Sequence, residues 1–136
     1  MTADIAKPGI DLGIVTRNAE AMLHFYVGIL GLEKESSIPM PGGGGTMHRL
    51  QAGTSIIKII ELDPAPKEDA IPGGIRAATG YRYWTLWVDN LSTCVQACSA
   101  EGCKVVVAEK VVRPGVTIAI IADPDGNWVE LLESRQ

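Results

Sequence analysis

Apolar and polar residues along this chain alternate with two different periods, and the order of those periods is written twice. Residues 10–16 alternate around Asp11 and Gly13, the period-two pattern of a strand with one covered face. Met22, Phe25, Tyr26 and Ile29 then recur at helical spacing, with Asn18 at a capping position and Gly31 where a helix ends. His24 falls off that stripe and reads as a solvated helix residue. A weak strand is predicted over 32–40, Pro41 and four glycines break it, and 46–52 and 54–62 supply two more strands joined near Gly53. The second round opens with a strand at 81–88. Asn90 then precedes a helix carrying Leu91, Cys94, Val95 and Cys98, Gly102 ends it, and strands follow at 104–108, 116–122 and 128–132. Each round reads β-α-β-β-β.

The predicted class is therefore α+β: two βαβββ modules, about 9–62 and 81–133, within a single domain of residues 1–136. Between them, 63–80 holds Pro64, Pro66, Pro72, Gly73 and Gly74 and reads as a linker, with a lid carrying Lys67 or Arg76 as the other option. Residues 9–18 line up with 81–90, so that Asp11 corresponds to Tyr83. From Asp11 to Glu61 the spacing is 50 positions, and from Tyr83 to Glu130 it is 47. Paired about a pseudo-twofold axis, two such sheets make a curved cup with the helices outside. Strand alternation then turns Leu12, Ile14, Trp84 and Leu86 toward the helices and Asp11, Gly13, Tyr83, Thr85 and Trp87 toward the hollow.

Composition narrows the function. The chain has 136 residues, 46% apolar and 21% charged, as in an ordinary globular protein. A formal charge of −4 gives no basic footprint for nucleic acid and no polybasic membrane patch. No apolar run is long enough for a membrane span and no signal-peptide pattern opens the chain, so a cytoplasmic protein is expected. Cys94, Cys98 and Cys103 lack a partner His or a Cys-x-x-Cys spacing, and read as reduced structural thiols.

Candidate chemistry gathers near the C-terminus. Asp123-Pro124-Asp125-Gly126-Asn127 is a turn signal, and the strand after it sets Glu130 among apolar neighbours on the face of Trp128 and Leu132. That carboxylate either lies at a solvated sheet edge or lines a cavity as metal ligand or proton carrier. Glu61 ends another apolar strand in the same way. With Asp11 and Tyr83 they make four oxygen-bearing side chains for the floor of the cup. Three carboxylates in mutual reach and without a cation would keep one proton among them near neutrality, which poises a base. His48, beside the glycine turn, is a candidate for substrate contact. Trp87 and Trp128 fall on the hollow side, as an apolar floor for a ring-bearing ligand.

These features together resemble the vicinal oxygen chelate superfamily, which includes glyoxalase I, extradiol dioxygenases and bleomycin-binding proteins. The resemblance runs from about Gly9 to Glu133 and rests on Asp11-Leu12-Gly13-Ile14, Phe25-Tyr26, Leu30-Gly31-Leu32, Val88-Asp89-Asn90 and the turn leading to Glu130. It implies metal ligands at the positions matched by Asp11, Glu61, Tyr83 and Glu130. The first and third are commonly His in the family and are Asp and Tyr here. A ligand set of Asp11, Glu61 and Glu130 would suit Mg²⁺, Mn²⁺ or Ca²⁺ better than Zn²⁺ or Ni²⁺, and a metal-free protein is the alternative. The resemblance also implies a glyoxalase-like lyase or isomerase acting beside a carbonyl, with Glu130 or Glu61 as base and Tyr83 donating to the oxyanion. The other option it leaves is a non-catalytic protein that sequesters an aromatic compound. A homodimer is expected in either case.

Overall fold

A computed structural model of the chain describes residues 2–135. In the first module, β1 (Asp11–Thr16) runs parallel to β4 (Ser55–Leu62), β4 is antiparallel to β3 (Gly45–Ala52), and β3 is antiparallel to β2 (Glu33–Pro39). In the second, β5 (Tyr83–Trp87), β8 (Trp128–Ser134), β7 (Val116–Ala122) and β6 (Val105–Arg113) repeat that order and those directions. Each first strand thus lies beside the last strand of its own module, and the helix between is the crossover that such a placement requires. The chain divides into two compact units, with the boundary between Lys67 and Glu68. The two βαβββ modules and the α+β class agree with the reading of the sequence.

In the first crossover, α1 (Ala19–Leu23) passes directly into one wider turn over His24–Ile29. There Leu30 N–H reaches back to Phe25 O at 2.9 Å, one residue further than in an α-helix. Met22, Phe25 and Tyr26 are buried against the sheet, the two rings meeting edge to face at 4.8 Å. Below them lie Leu50, Ile57 and Ile59, all essentially inaccessible. Truncating Ile59 to Ala would cost about 2–5 kcal/mol, as for other buried aliphatic side chains.

The second crossover is α2 (Leu91–Ala100), which packs on β6, β7 and β8 through Leu91 and Cys98. Neither helix is capped by the asparagine before it. Asn18 instead gives its own N–H to Thr16 Oγ1 at 2.9 Å. At α2 the acceptor comes from across the module, where Glu133 Oε1 on β8 takes the Leu91 N–H at 3.0 Å.

One strand runs beyond the pattern-based reading. Strand β6 runs on to Arg113 through Glu109 and Lys110, and register shifts interrupt its pairing with β7. It is the edge strand of its sheet, where charges and bulges are tolerated. The glycine run closes the β2–β3 hairpin as a hydrogen-bonded turn, Gly43 N–H to Met40 O at 2.8 Å and Met40 N–H to Gly45 O at 2.9 Å. Gly42, Gly43 and Gly44 all take positive φ, which side-chain-bearing residues resist. Among the described residues no helix is long and apolar enough to cross a membrane.

Candidate functional site

In the second module, the parallel register sets Tyr83 beside Trp128, Thr85 beside Glu130 and Trp87 beside Leu132. Paired residues share a face, and here it is the face turned away from α2, since Glu133 on the other face caps that helix. Thr85 donates its hydroxyl proton to Glu130 Oε1 at 2.7 Å. Both side chains are half-buried, so the carboxylate is oriented by a short hydrogen bond within an otherwise apolar and aromatic strand pair. Tyr83 is 51% exposed and Trp87 66% exposed on that face.

Trp128 is covered from one side by the connecting segment. Gly74, at φ +69°, lies so close to the indole that a Cβ there would fall 2.4 Å from ring carbons. Arg82 holds the segment in place by donating from Nε to Gly74 O at 2.8 Å and from Nη2 to Ile71 O. Residues 71–74 are therefore fastened to the second module rather than hanging as an open tether.

The tight turn before β8 is organised by Asp123, which is 4% exposed. Its Oδ1 accepts the N–H groups of Asp125 and Asn127 at 3.0 and 2.9 Å, and its Oδ2 accepts Asn127 Nδ2 at 2.9 Å. That turn fixes where β8 begins, and hence where Trp128 and Glu130 stand against β5.

The first module places its candidates differently. Asp11, Gly13 and Lys58 share one face, with Gly13 paired to Lys58. Asp11 Oδ1 accepts from Lys7 Nζ at 2.7 Å, and Lys58 Nζ stands 3.5 Å from Oδ2. The hydrogen bond from Lys7, followed by the charges of the two lysines, holds the Asp11 carboxyl below its ordinary value. Glu61 is paired with Thr16, at the opposite end of β1 from Asp11. It also takes the other face, that of Ile57 and Ile59 toward α1. The structure does not bring Asp11 and Glu61 together.

This corrects the equivalence between the halves. With Asp11 matched to Tyr83 and Gly13 to Thr85, the residue matched to Glu130 is the partner of Gly13, which is Lys58 and not Glu61. The spacings carried the signal. Counting 47 positions from Asp11, the interval that separates Tyr83 from Glu130, lands on Lys58.

His48 lies with Glu61 on the helix-side face of the first sheet. Its Nδ1 shares a hydrogen bond with Ser37 Oγ at 2.8 Å. Its Nε2 is shielded from solvent with no hydrogen-bond partner, 3.7 Å from Glu61 Oε2. The side chain is 12% exposed, a packed polar residue at the core margin.

Among the described residues no three His, Cys, Asp or Glu side chains gather as a metal site. Neither face fits a divalent ion by itself. Asp11 is already shared by two ammonium groups, and Glu130 is the one carboxylate on the open face of the β5–β8 pair.

The chain is matched over residues 10–131 by the family model for the Glyoxalase/Bleomycin resistance protein/Dioxygenase superfamily. A comparison with curated proteins finds no relative. Among solved structures, a glyoxalase family protein from Bacillus cereus superposes with a TM-score of 0.81 at 16% identity, over 98% of this chain and 97% of that one. A glyoxalase family protein from Enterococcus faecalis gives 0.66 at 22% identity, over 97% and 98% of the two chains. The trypanothione-dependent glyoxalase I of Leishmania major gives 0.72 at 15% identity, over 90% and 84%. At these identities the likeness is one of fold.

Proposed function

The chain belongs to the Glyoxalase/Bleomycin resistance protein/Dioxygenase superfamily, and from that premise we propose that it binds a small aromatic molecule on the open face of its second sheet. The observation that carries this reading is the exposure of Tyr83 and Trp87 on the strand whose Thr85 orients Glu130. Exposed aromatic side chains around one oriented carboxylate suit a planar ligand with a hydrogen-bond donor or a cationic group at its rim. The rings supply contact area, and the carboxylate selects which edge of the ligand turns inward.

Tryptophan fluorescence titrated with benzamidine and with catechol tests it. Saturable quenching that is lost in Trp87→Ala and weakened roughly tenfold or more in Glu130→Gln is the expected result, tenfold being about 1.4 kcal/mol of the charge-assisted bond. Wild-type protein that gives no saturable change with either probe would contradict it.

A second reading keeps Glu130 as a base in a lyase or isomerase acting beside a carbonyl. The short bond from Thr85, which fixes one carboxylate oxygen and leaves the other to accept a proton, favours it. In that reaction Glu130 takes the proton from the carbon and returns one from solvent. Exchange of the α-hydrogens of hydroxyacetone in heavy water, followed by NMR, reads it directly: catalysed exchange abolished by Glu130→Gln supports it, and a rate equal to that of buffer rejects it.

A homodimer belongs to the same proposal. Val111 and Val112 are exposed on the edge strand β6, and covering them favours self-association. Light scattering tests this, a monomer at micromolar concentration being the contrary outcome.

A further inference from the structure

The internal duplication puts a cation in the first module at the place where the second has an anion. Lys58 and Glu130 are the partners of equivalent residues on equivalent strands, yet Lys58 reaches toward Asp11 while Glu130 accepts from Thr85. Lys7 and Lys58 share the single carboxylate of Asp11. Lys7 makes the short bond at 2.7 Å, and Lys58 stands off at 3.5 Å on the other oxygen. One carboxylate offsets one ammonium, so this cluster keeps one positive charge that none of its members cancels. Arg49, beside Lys58 in the sheet, is balanced by Glu35 at 3.1 Å and does not change the sum. The Lys58 side chain is only 25% exposed, so its charge is screened less than that of a fully solvated lysine.

We propose that Lys58 is an anion-binding residue, holding a carboxylate or phosphate oxygen of a ligand on the open face of the first sheet, and that it excludes the divalent ion the fold family implies. An ammonium within ion-pair distance of Asp11 repels a second cation there and attracts an oxyanion. The inference rests on the first module alone. It stands or falls separately from the aromatic site of the second.

The test uses the full chain, free of any affinity tag, with labelled lysine. The Lys58 Cε and Nζ signals, assigned by their loss in Lys58→Met, are followed by NMR during titration with inorganic phosphate and with acetate. Calorimetry with Mn²⁺, Zn²⁺ and Ni²⁺ runs in parallel. The expected result is a saturable shift of the Lys58 signals at millimolar anion, with no stoichiometric metal uptake. Lys58→Glu, folded by circular dichroism, then reverses the preference: it loses the anion-induced shift that the wild type shows at the neighbouring Gly13 amide and gains uptake of Mn²⁺. Three results overturn the proposal: Lys58 signals indifferent to both anions; wild-type protein that takes up one equivalent of metal and loses it in Asp11→Asn; or a folded Lys58→Glu that still binds no metal. Should Lys58→Glu fail to fold, Lys58→Met decides, read at the amide of Gly13 beside position 58: a neutral side chain of similar length retains the fold, and an anion-induced shift there that persists unchanged overturns the proposal.

Discussion

The two modules share one backbone plan, and one strand pair shows how they differ in chemistry. Between β1 and β4 stand Gly13 and Lys58; between β5 and β8 stand Thr85 and Glu130. Glycine leaves room above the strand, and Lys58 lies along the sheet to reach Asp11. A threonine hydroxyl instead meets Glu130 directly and holds it. The surroundings follow the same division. The second module exposes Tyr83 and Trp87, whereas the first has charged groups gathered around Asp11. Duplicated topology thus preserves where a side chain can stand without preserving what it does there.

The comparison is broken most severely at the connecting segments. Gly74→Ala would force a Cβ into the Trp128 ring from a left-handed backbone, and is expected to destabilise the protein by about 2–4 kcal/mol. Gly43→Ala, in the hairpin of the first module, has the same sign of φ but nothing within 4 Å, and should cost about 1 kcal/mol. Urea unfolding of the two variants checks the difference, and equal losses would show that the segment does not press on Trp128.

At the ligand face, Glu130→Gln and Lys58→Met separate the modules. Glu130→Gln is expected to weaken the aromatic probes roughly tenfold or more, and Lys58→Met to leave them within about twofold, as surface changes away from a binding contact do. Titrating both by fluorescence tests the division. Equal effects would place the aromatic ligand against both residues.

Acid dissects the modules more gently. The Glu133 carboxyl is held below its ordinary value of 4.5, first by the Leu91 N–H and then by Arg135. A depressed folded pKa gives stability that is full above the unfolded value and is lost as pH falls through the folded one. The α2 cap therefore weakens below about pH 4.5. Glu133→Gln should shrink the fall in melting temperature between pH 6 and pH 3 while Asp11→Asn, acting through the Lys7 bond, does so in the first module. Melting curves that keep the wild-type pH dependence in both variants would be the contrary result.

The smallest effect expected is in thiol chemistry. All three cysteines lie in the second module, and burial pushes the Cys98 thiol up to about 12 and raises those of Cys94 and Cys103. Alkylation near pH 8 should proceed slowly, with Cys98 the last to react, and should report local opening of that module alone. Rapid labelling of Cys98 in the native state would show that α2 is not seated as described.

Much of the fold was legible because each strand kept its alternation and each helix its stripe. Leu12, Ile14, Met22 and Phe25 face inward as their spacing requires. The shared face of Glu130 and Tyr83 was legible as well, since residues two apart along a strand stay on one side of the sheet. What misled was the first module, where Glu61 offered a carboxylate near the end of an isoleucine strand and Lys58 offered the wrong charge. Chemical expectation chose the carboxylate, whereas strand register, which changes face at every residue, places Glu61 with Ile57 and Ile59. The helix caps were hidden for a different reason. Glu133 reaches Leu91 across 42 positions of sequence, a contact that no local pattern encodes.

The central claim is that Lys58, which stands in the first module where the second has Glu130, favours an oxyanion over a divalent ion beside Asp11. Native mass spectrometry of the tag-free wild-type chain and of Lys58→Glu, sprayed from solutions containing Mn²⁺, Zn²⁺ or Ni²⁺, tests it most directly. The account predicts the bare mass for the wild type and a metal adduct for the variant; a one-to-one adduct on the wild type that disappears in Asp11→Asn would contradict it.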